Sequence, residues 1–169
     1  MKNIFLIGFM GSGKSTISKM LSEKLGVMCA EMDEMIVQEQ RMPITEIFEK
    51  FGESHFRDIE TDLVRRLQKQ DGVIVSCGGG AVLREENRNM MKQSGVIVLL
   101  TATPETILER VKYSTDRPIL NGNMTVEYIS SLMERRRACY EEAADFAVAT
   151  DDKSSEEICQ EILNKIEQN

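Results

Sequence analysis

The stretch that decides the fold of this chain is Gly8-Phe9-Met10-Gly11-Ser12-Gly13-Lys14-Ser15. It fits the pattern G-x-x-x-x-G-K-S/T and lies between an apolar run at 4–7 and a segment whose apolar residues recur at helical spacing. Glycines allow consecutive backbone N–H groups to curl around a polyphosphate, and the helix N-terminus that follows adds positive potential. The stretch therefore predicts a nucleotide-binding loop between a buried strand and a helix.

Two residues at the end of this loop can serve phosphoryl transfer. The Lys14 ammonium can reach the β and γ phosphates of a nucleotide, and the Ser15 hydroxyl can bind Mg²⁺. A nucleotide with Mg²⁺ is therefore the expected ligand of the loop. The rest of the expected nucleotide-binding set in this stretch is Gly11, Ser12, Gly13 and Thr16. The alternative interpretation is a glycine-rich turn without a ligand.

Beyond the loop, the chain alternates between short apolar runs and amphipathic segments. Runs suited to buried strands lie at 4–7, 27–30, 73–77, 96–100 and 146–149. The helix signals between them are Gly26 as a C-cap, Pro43 and Pro104 at helix starts, Gly52 at a turn between helices, and a capping box of Ser154 and Glu157. This order predicts an α/β fold of three layers, in which a five-stranded parallel sheet lies between helices on both faces.

Length and composition indicate one globular domain over residues 1–169. Apolar residues make up 41% and charged residues 29%, which excludes intrinsic disorder, and no apolar run approaches the ~20 residues of a membrane span. The 28 acidic residues outnumber the 21 Lys and Arg, and this net charge of -7 argues against a nucleic-acid partner. Four scattered cysteines and one histidine offer no zinc site by the usual spacings. We expect a cytoplasmic monomer with reduced thiols.

The segment 112–124 differs from the rest of the chain. It contains Asp-Arg-Pro and Asn-Gly-Asn and shows no sustained helical or strand period. We therefore expect a short mobile lid there. Arg117 in this lid can swing over the phosphates and neutralise developing charge, and Arg110, just before it, can stack on a purine ring. The alternative for both is an ordinary exposed arginine.

An acceptor site is predicted beside the phosphate loop. Glu31 and Asp33 follow the second strand, and Gly78, Gly79 and Gly80 follow the third. Because the carboxyl ends of parallel strands meet at one edge of a sheet, these residues should line one crevice. Asp33 can orient the attacking hydroxyl and accept its proton, or it can cap the next helix. Glu31 can hold a magnesium-bound water or be a charge at a strand end, and the glycines can admit a ligand or form a tight turn with positive φ.

Two arginines are candidates for binding an anionic acceptor. Arg136 lies on the apolar stripe of its own helix, so its side chain should point inward. Arg135 and Arg137 lie off that stripe and are expected on a solvated face. Arg57 precedes Glu60 by one turn, so an ion pair can orient it. Taken alone, Arg57 would more often be a surface residue than a ligand.

These motifs together resemble the shikimate kinase family over nearly the whole chain. The matching pieces are residues 8–16, Asp33, Phe56-Arg57-x-x-Glu60, Gly78-Gly79-Gly80, Arg117-Pro118-Ile119-Leu120, and Arg136 with Tyr140. The resemblance implies a P-loop NTPase fold and ATP-dependent phosphorylation of the 3-hydroxyl of shikimate, on the pathway to chorismate and the aromatic amino acids. The two departures from the usual family pattern are Glu31-Met32-Asp33 in place of Asp-x-Asp, and Arg136-Arg137-Ala138-Cys139-Tyr140, which lacks a proline.

The resemblance also implies how the acceptor is bound. Asp33 would engage the acceptor hydroxyls, within a substrate-binding helical region at 32–70. Arg57 and Arg136 would hold the shikimate carboxylate, because the planar fork of arginine can grip a carboxylate through two parallel hydrogen bonds. The backbone of Gly78, Gly79 and Gly80 would form the wall of that pocket.

The nucleotide side follows from the same resemblance. Lys14 and Arg117 would bind the phosphates and, with Asp33, form the catalytic set. Ser15 would bind the magnesium ion, Glu31 would reach it through a water, and Arg110 would lie beside the adenine. Two alternatives stay open at this point: another small-molecule P-loop kinase of the gluconate type, and a nucleotide-dependent binding module without turnover.

Overall fold

The computed structural model describes residues 1–112 and 124–168, and a five-stranded sheet lies at its centre. The strands are β1 (Asn3–Ile7), β2 (Cys29–Glu31), β3 (Ile74–Ser76), β4 (Gly95–Thr101) and β5 (Phe146–Ala149). They are arranged in the order β2-β3-β1-β4-β5, and every neighbouring pair is parallel. In the central register, Ile4 lies opposite Ile74 on one side and Val96 on the other.

Seven helices among the described residues connect and cover these strands. They are α1 (Lys14–Leu25), α2 (Met32–Gln40), α3 (Ile44–Leu67), α4 (Glu85–Ser94), α5 (Pro104–Val111), α6 (Val126–Ala143) and α7 (Ser155–Gln168). Alternate residues of β1 enter two separate apolar clusters: Ile4 and Leu6 meet α1 and α7, while Phe5 and Ile7 meet the other helices. Because both faces of the sheet are buried in this way, the predicted three-layer α/β fold is confirmed.

The predicted C-cap and capping box are both present in the structure. Gly26 ends α1 in the left-handed conformation with φ 66°. The backbone N–H of Glu157 donates to Ser154 Oγ at 3.1 Å, as a capping box requires. Gly52 has φ 85° and ψ 169°, which is not a helical conformation, so α3 consists of two helical segments that meet at Gly52, as predicted.

One prediction of local structure needs correction, and one helix was missed. The second strand begins at Cys29 rather than at residue 27, because the backbone N–H of Val27 is bound to Ser22 O at the end of α1. Helix α4 was not predicted, since Asn87 and Met91 are its only buried residues and the apolar period is therefore weak.

The predicted lid falls almost entirely on residues 113–123, which lie outside those that the structure describes, and Arg117 is among them. Of the helices described, none is long and apolar enough to span a bilayer.

Candidate active site

The loop at residues 8–13 runs from the end of β1 to the start of α1 and surrounds a lysine. Lys14 Nζ donates hydrogen bonds to the carbonyl oxygens of Gly8, at 2.7 Å, and Phe9, at 3.0 Å. Gly11 and Gly13 have φ values of 80° and 103°, which a residue with a side chain rarely adopts. The loop thus holds a buried ammonium group next to a helix N-terminus, an arrangement suited to a polyphosphate.

Ser15 and Glu31 lie next to each other at the mouth of this loop. The Ser15 hydroxyl donates a 2.6 Å hydrogen bond to Glu31 Oε1. Burial raises the pKa of Glu31, while hydrogen bonds from the Ser15 and Ser76 hydroxyls act in the opposite direction. A hydroxyl and a carboxylate oxygen at this distance are ligands of the kind that Mg²⁺ prefers. The Glu31 side chain, which is one methylene longer than that of an aspartate, thus contacts Ser15 directly.

The other expected nucleotide-binding residues differ in their exposure and in their hydrogen bonds. Thr16 is exposed and lines the cavity above the loop, and Arg110 Nη1 donates to Gly11 O at 2.9 Å and to Thr150 Oγ1 at 3.2 Å. Arg110 thereby ties the phosphate loop to the residues after β5. Ser12, in contrast, is buried, and its backbone N–H donates to Phe9 O within the loop. The Ser12 hydroxyl has no hydrogen-bond partner among the described residues.

The acceptor half of the site is built around two buried arginines. Arg57 of α3 and Arg136 of α6 are 8% and 6% exposed, whereas Arg135 and Arg137 lie on the solvated face of α6. Arg57 Nη1 donates to Glu60 Oε1 at 2.8 Å. The Arg136 guanidinium lies 5.9 Å from the centre of the Phe9 ring. Helix α6 thus brings Arg136 inward, as its apolar stripe predicts.

Both arginines retain unused hydrogen-bonding capacity. Within the part of the chain that the structure describes, Arg57 Nε and Arg136 Nη1 are buried and have no hydrogen-bond partner. Buried donors in native proteins are almost always satisfied by protein, water or ligand. Two cationic groups with spare donors in one cavity are suited to bind a carboxylate.

The three glycines after β3 are needed for space rather than for backbone conformation. A tight turn forms here, because the backbone N–H of Ala81 donates to Gly78 O at 3.0 Å, but none of the three glycines has the positive φ expected for it. A Cβ atom on Gly78 would lie 2.7 Å from Glu60 Oε2 and 3.0 Å from Asp33 Oδ1. A Cβ atom on Gly80 would lie 2.6 Å from the Arg57 guanidinium carbon. The glycines therefore allow the polar side chains of the site to lie against the backbone.

Asp33 lines the same cavity as the phosphate loop and the two buried arginines. It is the second residue of α2, whose N-cap position is taken by Glu31, and no side-chain capping bond is formed at that end. Its carboxylate lines a cavity of about 300 Å³ together with Lys14, Arg57, Gly79 and Arg136. Asp33 therefore shares one cavity with the lysine of the phosphate loop and with both buried arginines.

Comparison with known proteins identifies the family. The shikimate kinase family model matches residues 10–167. The chain is 42% identical over 167 residues to the shikimate kinase of Thermodesulfovibrio yellowstonii, covering 99% of this chain and 96% of that one. The chain belongs to the shikimate kinase family. Shikimate kinase activity, in aromatic amino acid biosynthesis, is therefore the function that membership gives it.

Solved structures of shikimate kinases share this fold. The enzyme from Acinetobacter baumannii in complex with shikimate superimposes with a TM-score of 0.96 at 32% identity, covering 100% of this chain and 94% of that chain. The enzyme from Aquifex aeolicus gives 0.84 at 39% identity, with 98% and 96% covered. A gluconokinase from Sinorhizobium meliloti gives 0.59 at 19% identity, with 99% and 92% covered, which shows a common fold alone.

Sequence reasoning missed several residues of this shikimate kinase family site. Ile44, Phe48 and Cys77 line the cavity, and burial raises the pKa of the Cys77 thiol far above its usual range, so this thiol stays protonated. Tyr140 was recognised only as part of a motif, yet its hydroxyl contacts Gly79. The apolar positions of α3 were the available signal for Ile44 and Phe48, whereas the position of Tyr140 depends on a contact between distant parts of the chain.

Proposed function

We propose that the chain, acting as one kinase domain, transfers the terminal phosphoryl group of ATP to the 3-hydroxyl of shikimate in the cavity between the phosphate loop and the two buried arginines. The observation that carries this assignment is the spare hydrogen-bonding capacity of Arg57 and Arg136, buried in the same cavity as Lys14 and Asp33. A carboxylate bound by these arginines leaves the ring hydroxyls of the acid facing the phosphate loop.

On the nucleotide side, the residues present fit ATP and Mg²⁺. The N-terminus of α1 and Lys14 provide the positive potential that the phosphates require, and Arg110 lies beside the loop in a position to contact the adenine. The adjacent oxygens of Ser15 and Glu31 fit a magnesium ion, and that ion would neutralise phosphate charge. The role expected of Arg117 in phosphate binding is part of the same proposal.

On the acceptor side, the residues that line the cavity bind the acid and activate its hydroxyl group. Arg57 and Arg136 bind the carboxylate, and Glu60 orients Arg57. Asp33 orients the acceptor hydroxyl and accepts its proton as the new phosphate ester bond forms. Lys14 stabilises the charge on the transferred group. As this ester bond forms, the bond between the γ-phosphorus and the oxygen that bridges to the β-phosphate breaks. ADP leaves, and the hydroxyl proton passes to Asp33.

The test is a pair of substitutions at neighbouring arginines. Arg136→Ala should raise the shikimate KM by about a hundredfold while the ATP KM stays within twofold, because a bidentate charged contact to the acid is lost. Arg137→Ala is the matched control, since Arg137 is exposed and paired with Glu134 at 2.9 Å. Equal weakening of both substrates in Arg136→Ala would refute the assignment of this arginine.

A panel of acceptors addresses the remaining alternatives. With Mg-ATP, shikimate should release ADP in a coupled assay, whereas gluconate and nucleoside monophosphates should not. Release with gluconate alone would favour the gluconate-type kinase, and the absence of ADP release with every acceptor would favour a binding module. A cytoplasmic monomer stays a prediction, and light scattering on the purified chain would measure the oligomeric state.

A further inference from the structure

Tyr140 makes a contact that the proposed mechanism does not use. Its hydroxyl donates a 2.6 Å hydrogen bond to the carbonyl oxygen of Gly79. The residue is buried on α6, one helical turn beyond Arg136, and burial raises the pKa of its hydroxyl. The hydroxyl therefore stays protonated, and it connects α6 to the loop after β3.

Gly79 lies where the two halves of the site meet. A Cβ atom on Gly79 would lie 3.5 Å from Arg136 Nη1 and 3.5 Å from the backbone nitrogen of Met10. It would also lie 3.8 Å from the carbonyl oxygen of Gly8. The peptide unit that Tyr140 binds is therefore in contact range of both the acceptor arginine and the phosphate loop.

The geometry of this peptide unit has a consequence for Gly80. The described chain has no cis peptide bonds, so the C=O of Gly79 and the N–H of Gly80 point in opposite directions. A hydrogen bond that holds the Gly79 carbonyl toward Tyr140 also holds the Gly80 N–H away from it. Gly80 lines the acceptor cavity and lies against the Arg57 guanidinium. The orientation of one peptide plane thus affects the wall beside both arginines.

The Tyr140 ring is buried in an apolar cluster with Phe9 and Leu132. One side of the ring also lines a second cavity, of about 300 Å³, together with Phe9, Leu99 and Met133. Packing therefore holds the ring, and the hydroxyl adds a polar contact that fixes the Gly79 carbonyl.

We propose that Tyr140 is a positioning residue for the acceptor, which sets the peptide plane between Gly79 and Gly80 and thereby the affinity for the organic acid. The proposal rests on the proposed binding of shikimate between Arg57 and Arg136. Tyr140 itself touches neither the acid nor the nucleotide in this scheme. It acts through the glycine backbone and Arg136.

The test removes only the hydroxyl. Tyr140→Phe keeps the ring and its apolar contacts, so the fold is retained. Isothermal titration with shikimate alone should show a dissociation constant raised about three- to tenfold, because the hydroxyl's bond to Gly79 and its interaction with Arg136 are both lost. The shikimate KM should rise in parallel while kcat and the ATP KM change little, and the melting temperature should fall by a few degrees, because the Gly79 carbonyl loses its hydrogen-bond partner. Ser130→Ala is the control, because it removes a hydroxyl from the wall of the same second cavity without touching Gly79.

The outcomes separate this proposal from the one on which it rests. Unchanged shikimate affinity in Tyr140→Phe, with Arg136→Ala still defective, overturns the positioning role alone. An equal rise in the shikimate and ATP KM values also overturns it, because the effect would then not be specific to the acceptor. Full shikimate affinity in Arg136→Ala removes the proposed acceptor site itself.

Discussion

The guanidinium of Arg57 donates a 2.8 Å hydrogen bond to the carboxylate of Glu60, one helical turn away, and both side chains are buried. A buried ion pair contributes little net stability, yet removing one partner is costly because the other charge remains buried. Without Glu60, the buried charge of Arg57 in the acceptor cavity would lower the free energy of unfolding.

Glu60→Gln should lower the free energy of unfolding by about 3 kcal/mol, because Arg57 loses its buried counter-charge. Urea denaturation measures the change. Glu39→Gln is the control, since Glu39 pairs with Arg66 through two hydrogen bonds, of 2.7 and 2.8 Å, on an exposed surface. That substitution should cost less than about 1 kcal/mol. Equal decreases in the free energy of unfolding of the two variants would show that the burial of the Arg57–Glu60 pair does not determine its contribution to stability.

Asp33→Asn should lower kcat by about a hundredfold or more, because an amide cannot accept the proton of the attacking hydroxyl. Steady-state kinetics with saturating shikimate and Mg-ATP measures this effect. Glu34→Gln tests for a simple contribution to the start of α2, since Glu34 is exposed in the same helical turn. If the two variants lose the same activity, Asp33 acts through the helix terminus rather than through the acceptor.

Gly80→Ala should raise the shikimate KM about tenfold or more, because the new methyl group would displace the Arg57 guanidinium, and misplaced binding groups are costly. The ATP KM should stay near the wild-type value. Gly26→Ala is the control for stability, since Gly26 has φ 66°, has open space around it and does not line the acceptor cavity. It should destabilise the fold by about 1 kcal/mol and leave both KM values unchanged. A normal shikimate KM in Gly80→Ala would show that Arg57 can move without loss of affinity.

Ser12→Ala should leave the ATP KM within twofold and should not destabilise the protein, because the buried hydroxyl has no hydrogen-bond partner in the described chain. Ser15→Ala should instead raise the Mg²⁺ concentration for half-maximal rate about tenfold. Titration of MgCl₂ at fixed ATP compares the two serines. A larger effect at Ser12 than at Ser15 would contradict their placement in the loop.

Much of this molecule could be predicted from local patterns. The spacing of Gly8, Gly13, Lys14 and Ser15 predicted the phosphate loop, and the apolar runs predicted five parallel strands. The helical stripe of α6 predicted that Arg136 points inward. Such features follow from sequence because the periods of helices and strands, and the conformations of glycine and proline, are properties of neighbouring residues.

Contacts between distant residues were decided only by the tertiary structure. The hydroxyl of Tyr140 meets Gly79, Ser15 meets Glu31, and Gly80 leaves room for Arg57. Helix α4 forms although its own apolar period is weak, because Asn87 donates to Ala81 O and Met91 enters the core. No local period specifies these pairings, since each depends on how the helices lie across the sheet. The sequence by itself therefore determined the elements and the phosphate loop, whereas packing across the sheet decided which polar groups share the cavity.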